Sequence, residues 1–391
     1  MNQLGVLILL SCSLIQAKEE LKFVQVVWRH GDRAPGDLPY PKDKNGEENW
    51  PRGWNQLTNE GILQLRELGE FFHQRYVGSF LKESFHHKEV YIRSTDKDRA
   101  LVSAQSMLSA MFPPTQSEMA ISGMAWQPIA VHGAEPGAED PLLKPTKFKC
   151  PAYDKIYKPL REEKKKKLGL KYYELFKFLG NNTGISNFTL DDIKAVEEIN
   201  KEFYHKIPQP DWVYQNWPKY GGKTTLELIM EINIEERAVR FSTTELSRLR
   251  GGFLLGDFMQ NAKKAGKGKM KKPKKMLLYS AHEGTLQSIM NAFGFETMTK
   301  IPYAGCLIME VRGKKNKATV EFLFYGDKKL TPLKLRACQE VCPLEKAEKL
   351  MEYRSIKDKV QLYQDCGRFH CDDGEESDDD EKPKKGNTKK R

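Results

Sequence analysis

Short β-branched apolar runs alternate along the chain with segments whose apolar residues recur every three or four positions, the two periods of strand and helix. Phe23–Trp28 (FVQVVW) reads as a buried strand. It ends in Arg29-His30-Gly31-Asp32-Arg33-Ala34-Pro35, where Gly31 and Pro35 require a loop. Ile62, Leu65, Leu68, Phe72 and Tyr76 then mark a helix that Thr58 is placed to cap. Glu89–Arg93 predicts a second strand, followed by Ser94-Thr95-Asp96 as the cap of a helix to about Met111, stopped at Phe112-Pro113-Pro114. Thr243–Gln260 reads as a helix, Met276–Ala281 as a third strand, and Leu307–Val311 and Thr319–Tyr325 as two more. From about His132 to Thr224 the texture changes to polar, lysine-rich and proline-punctuated, with helical segments near Arg161–Gly180 and Leu190–His205 and no convincing strand. That stretch, 132–224, reads as a helical insertion dividing a core of 18–131 and 225–371. A low-complexity tail, 372–391, runs from acidic to basic and is assigned no catalytic role.

Leu4–Ile15 is the one apolar run near spanning length, and its 12 residues fall short of the ~20 a bilayer requires, so no membrane span is expected. Residues 1–17 carry no charge and end abruptly at Lys18-Glu19-Glu20, which reads as a secretory signal rather than a buried strand. Cysteine usage agrees with export. Of seven cysteines, Cys12 lies in the leader, and Cys150, Cys306, Cys338, Cys342, Cys366 and Cys371 remain, an even set with no CxxC pair to hold zinc. Asn181-Asn182-Thr183 and Asn187-Phe188-Thr189 are glycosylation sequons usable on an exported chain. The expected location is extracellular or a lysosome-like lumen.

Hydrophobic residues at 39% and aromatics at 10% provide a core and exclude a wholly disordered chain. The net charge of +11 suits polyanions. Eight lysines between Lys263 and Lys275 raise the question of nucleic acid, but without interleaved aromatics or a nucleic-acid fold they read as a solvated loop, and no nucleic-acid partner is expected.

The chemistry concentrates where strands end. Trp28-Arg29-His30 and Ser280-Ala281-His282 each close a strand with histidine, and carboxyl ends of strands line the ligand crevice of α/β sheets. Arg29 and Arg33 flank the first histidine and Arg93 ends a third strand, so several guanidinium groups converge where phosphate oxygens would bind bidentately. A histidine nucleophile among arginines points to phosphoryl transfer, the nearby cations keeping the imidazole lone pair free. Gly31 is expected to let the backbone approach the phosphate. No metal or cofactor is signalled: Leu286 stands where a zincin helix would place its second histidine after His282-Glu283. Each histidine or arginine alone would read as structural, but R-H-G-x-R-x-P fixes five positions and arises by chance in roughly one chain of this length in ten thousand.

The segment VVWRHGDRAP resembles the signature of the histidine acid phosphatases. WPRGWNQLTNEG, YIRSTDKDRAL, MFPP, WQPIAVH, YSAHEGTL, YAGC and ACQEVCPL follow in the order of that family's prostatic and lysosomal branch, from about Phe23 to Cys366. The resemblance implies an α/β fold: a central mixed sheet flanked by helices on both faces, with an inserted, mainly helical cap. It implies His30 as the nucleophile that becomes phosphohistidine, Arg29, Arg33 and Arg93 as phosphate ligands, His282 as holder of the phosphate oxygens, and Glu283 as proton donor where the family usually has Asp. The implied activity is hydrolysis of small phosphate monoesters in acid. Two alternatives stand beside it: an inositol-polyphosphate phosphatase, since phytases share the opening motif, and a weakly active or inactive secreted binding protein, which Glu283 alone favours. The resemblance also implies disulfides Cys150–Cys366 and Cys338–Cys342. Cys306 has a family counterpart, but its usual partner near His205 is missing, so Cys306 and Cys371 either pair or stay free. Trp126 and His132 match interface positions of the dimeric branch, implying a homodimer unless Trp126 is a core side chain.

Overall fold

The computed structural model describes residues 19–295, 300–313 and 317–368; the leader expected over 1–17, Cys371 and the tail expected over 372–391 lie outside the described residues. The strands are β1 (Leu21–Arg29), β2 (Val90–Ser94), β3 (Asn216–Trp217), β4 (Lys223–Thr224), β5 (Met276–Ala281), β6 (Cys306–Arg312), β7 (Thr319–Gly326), β8 (Lys329–Leu333) and β9 (Val341–Pro343). All but β3 and β4 form one mixed sheet in the order β2-β5-β1-β6-β7-β8, with β9 on β7. β2, β5 and β1 run parallel, and β6 onward are antiparallel. β1 takes the centre because both of its faces are apolar: Phe23 and Val27 point one way, Val24, Val26 and Trp28 the other.

The helices are α1 (Asn59–Tyr76), α2 (Asp98–Met111), α3 (Pro151–Lys171), α4 (Tyr173–Thr183), α5 (Ile193–Val196), α6 (Ile199–Tyr204), α7 (Thr225–Ala238), α8 (Thr244–Gly266), α9 (Glu283–Phe293), α10 (Leu344–Met351) and α11 (Lys359–Asp365). α1 and α2 cover one face of the sheet through Leu65, Leu68, Phe72 and Met107. α8, α9 and α10 cover the other through Leu255, Phe258, Ile289 and Ala347. Thr58 caps α1, its hydroxyl accepting from the Gly61 N–H at 3.1 Å. The expected cap of α2 is corrected. Lys97 holds that position without a side-chain bond, Ser94 stays in β2, and the Thr95 hydroxyl is engaged by His282.

α3 to α6 form the helical cap, but its core draws in Leu226, Leu228, Ile229 and Ile232 of α7. The helical layer therefore continues past Thr224, because α7 offers the cap an apolar face. At the other boundary His132 still belongs to the sheet edge, donating its N–H to Ile92 O at 3.0 Å. Cys150–Cys366 ties the start of α3 to the end of α11, and Cys338–Cys342 closes the turn before β9. Cys306 is a buried free thiol at the start of β6. Trp126 is 40% exposed and therefore not a core side chain, while His132 stacks on Tyr91 with ring centroids 4.7 Å apart. Asn181 and Asn187 are both exposed on the cap.

Candidate active site

β1 and β5 pair in parallel with Arg29 opposite Ala281, so the next residue of each, His30 and His282, emerges at the same carboxyl edge. Their ring centroids are 5.5 Å apart. His30 Nδ1 lies 2.8 Å from the Gly31 carbonyl oxygen, which can only accept. Nδ1 therefore carries the proton and Nε2 keeps its lone pair. Gly31 packs against the start of α1. A Cβ there would lie 2.7 Å from Gly61 Cα, and its N–H is given to Ser103 Oγ at 3.2 Å. The glycine lets the loop seat against the start of α1.

Burial, His282, Arg29 and Arg99 together hold the His30 pKa well below its ordinary value. His282, with Nε2 3.0 Å from Thr95 Oγ1, is lowered to about 3 by burial and then by Arg99, Lys144, Arg33 and Arg29. Both rings are neutral in mild acid.

Arg29 is fixed from three sides: it donates to Ile301 O, stacks on Tyr303 with Cζ 4.0 Å from the ring centroid, and lies 3.4 Å from Glu283 Oε2. Arg33 donates to Ala34 O at 2.7 Å and Glu198 Oε2 at 3.2 Å. Arg93 is not brought to this cluster. Strand alternation puts it on the side of Tyr91, where it donates to buried Asp140 at 3.0 Å and faces Asp257 and Tyr279. The arginine that joins the cluster is Arg99, in the first turn of α2. It lines the cleft, its buried Nε has no hydrogen-bond partner among the described residues, and burial and Arg33 press its pKa down to about 10. The signal was in the sequence: YIRSTDKDR carries two arginines, and only the second lies beyond the end of β2.

Glu283 opens α9. Its Oε2 is 3.1 Å from Arg237 Nη2 as well as 3.4 Å from Arg29, while Oε1 is buried with no hydrogen-bond partner among the described residues. Burial raises this carboxyl, but Arg29 and Arg237 prevail and its pKa is lowered.

These groups lie in a cleft of about 920 Å³ between the carboxyl edge of the sheet and the cap. Lys97, Lys144, Lys147, Lys194, Lys201 and Lys300 line it, facing Glu197 and Glu198. Lys201, buried beside Glu198 and Arg33, is lowered to about 8, mainly by burial. The cap is tied to the loop after β1 through His205, whose Nε2 is 2.6 Å from Oδ2 of buried Asp32.

Comparison with known proteins agrees with this geometry. The profile of the histidine phosphatase superfamily (branch 2) matches residues 20–324. Lysosomal acid phosphatase of Rattus norvegicus is 36% identical over 346 residues, covering 86% of this chain and 78% of that protein. Prostatic acid phosphatase of Homo sapiens is 34% identical over 338 residues, covering 85% of each. Among solved structures, the apo phytase of Hafnia alvei superposes with a TM-score of 0.65 at 15% identity, covering 90% of this chain and 98% of that one, a likeness of fold. With its sheet, its paired strand-end histidines and this span of sequence identity, the chain belongs to the histidine phosphatase superfamily, branch 2.

Proposed function

We propose that the protein is an acid phosphatase that hydrolyses phosphate monoesters through a phosphohistidine at His30, in the extracellular space or a lysosome-like lumen. The observation that carries this reading is a neutral imidazole whose Nε2 lone pair is free among Arg29, Arg33 and Arg99. In the first step Nε2 attacks phosphorus, the P–O ester bond breaks, and the departing alcohol oxygen takes a proton from Glu283. The three arginines neutralise charge on the remaining phosphoryl oxygens, and neutral His282 holds those oxygens by hydrogen bonding. In the second step the Glu283 carboxylate removes a proton from water as its oxygen attacks phosphorus. The P–N bond breaks, and phosphate and the free imidazole are restored. Glu283 suits this exchange because Oε2 is anchored while Oε1 is left to carry the proton.

Two disulfides, exposed sequons and relatives named lysosomal acid phosphatase support the location. The test is hydrolysis of a chromogenic aryl phosphate from about pH 4 to 8 together with trapping of phosphoenzyme by an alkaline denaturing quench. Turnover in acid and an alkali-stable phosphoprotein, both abolished by His30→Ala, are expected. Turnover that survives His30→Ala overturns the mechanism.

One observation favours a second reading, a substrate with several phosphates. Burial, Lys147 and Arg240 depress the Lys194 pKa, so cations crowd the cleft beyond those around His30. A kcat/KM for inositol hexakisphosphate above that for the aryl ester would establish it.

A further inference from the structure

The lysine loop of the sequence closes over a second cavity. Lys264 of α8 and Lys269, Lys271 and Lys272 of the α8–β5 connection rim a pocket of about 470 Å³, floored by Tyr91, Leu277, Tyr279, Asp257 and Asn261. That volume is in the range of ligand pockets, roughly 300–1,000 Å³. It opens beside β2, the edge strand of the sheet. Lys263 and Lys275 are paired with Glu348 and Glu89. The four rim lysines, with Lys267 and Lys274, have no ion pair among the described residues and are exposed. The Lys274 N–H bonds to Lys88 O at 2.8 Å, which brings exposed Lys88 and His87 onto the same surface. Uncompensated like charge is gathered around a concavity, and an anion would relieve it.

The floor narrows the choice. Asp257 accepts from Gln25 Nε2 at 2.7 Å, Tyr279 Oη at 3.0 Å and Asn261 Nδ2 at 3.2 Å, making a fixed polar base. Its pKa is raised by burial, so the base adds little charge of its own against an anion. Such amide and carboxyl groups suit sugar hydroxyls. The rim has no arginine and no exposed aromatic, the groups that stack on nucleic-acid bases. Met270 is half-buried and Pro273 buried, so the loop presents no large apolar side chain to a bilayer.

We infer that this pocket is a second binding site, for an acidic polysaccharide, with one sugar unit over Asp257 and Asn261 and its sulfate or carboxylate groups on Lys264, Lys269, Lys271 and Lys272. The pocket rim lies before the amino end of β5 and His282 just past its carboxyl end, about 20 Å apart at strand rise. A bound polymer therefore leaves the catalytic cleft open and would hold an active enzyme on an anionic matrix.

The test measures binding of the whole protein to heparin, a sulfated polysaccharide, at graded salt. Wild type is expected to bind in a salt-sensitive way. Lys269→Glu/Lys271→Glu/Lys272→Glu should weaken binding by more than about tenfold while aryl phosphatase activity stays within about twofold. Asn261→Ala, which leaves every charge in place, should weaken it less but measurably. Unchanged binding in the triple variant overturns the inference, as does inhibition of turnover by heparin, which would put the polymer in the catalytic cleft. Equal affinity for duplex DNA or for phosphatidylserine vesicles overturns the choice of polysaccharide.

Discussion

Glu283→Gln removes a proton carrier from the active site and almost no volume, and the structure says how the loss should be distributed among substrates. In wild type Oε2 lies 3.1 Å from Arg237 and 3.4 Å from Arg29, contacts that a glutamine oxygen can still accept. Phosphate binding should therefore survive. Donation cannot. Positioned general acids contribute about 10²–10⁴-fold, and that whole factor should be lost for alkyl phosphates, whose alkoxide leaves only with a proton. An aryl phosphate with an acidic phenol needs little protonation and should lose no more than about tenfold. The informative quantity is thus the ratio of kcat/KM for the two esters, which should move by at least about tenfold, with KM for either moving much less. The lowered pKa sharpens the expectation. Even at the ordinary value of 4.5 only about a quarter of Glu283 would be protonated at pH 5, and the arginines reduce that fraction. The proton that Glu283 passes to the leaving oxygen must then be brought to it by a monoanionic ester, so wild-type activity on alkyl esters should fall as pH rises through the second phosphate ionisation. Equal losses for alkyl and aryl esters in Glu283→Gln would refute Glu283 as the donor and leave it a positioning residue. Glu283→Asp, which retracts the carboxyl by one methylene, should keep the ratio of the wild type.

Arg99→Ala should cost one charge-assisted contact to phosphate, about 10–100-fold in kcat/KM, with vanadate binding weakened in parallel. Arg93→Ala should leave kcat/KM within about twofold but lower the unfolding free energy measured in urea by about 1–3 kcal/mol, because it strips the partner from buried Asp140. His282, folded pKa about 3 against 6.5 unfolded, stays neutral in the fold while the unfolded chain takes up its proton. Its contribution to stability is therefore full above about pH 6.5 and lost progressively as pH falls towards 3. His282→Gln should accordingly lose less stability than wild type between pH 7 and 4, measured by urea unfolding. Gly31→Ala should destabilise by at least about 1–3 kcal/mol, because its methyl meets the backbone of Gly61 as well as the Leu65 side chain, and the backbone cannot step aside.

The halves of the molecule were unequally legible. β1 and β5 announce themselves because both faces of each are buried, which turns an alternating pattern into a continuous apolar run. Once both are strands, their terminal histidines follow. β8 and β9 gave no such run: they lie at the margin of the sheet, with exposed positions and prolines at 332 and 343. The change of texture over 132–224 coincides with α3 to α6, while α7 packs on those helices with one face and reaches Arg237 into the cleft with another.

Arg93 and Arg99 show what kind of information was lacking. Both stand in one short motif, six residues apart, and composition treats them alike. What separates them is the parity of β2. Tyr91 and Arg93 share the face towards α8, while Ile92 and Ser94 share the face towards α2. An arginine on the α8 face meets Asp140, whatever its distance from the strand's end. After β2 the chain turns at Thr95, whose hydroxyl goes to His282 instead of capping α2, and that turn carries the first helical residues over the carboxyl edge. Arg99 is thus delivered by the start of a helix, just past a turn that a side-chain bond joins to a segment far away in sequence. Local patterning decides which residue types can make a phosphate cradle. Which of the two arginines faces it is decided by the parity of β2 and by the turn that follows, and the contrast between Arg93→Ala and Arg99→Ala in kcat/KM reads that difference.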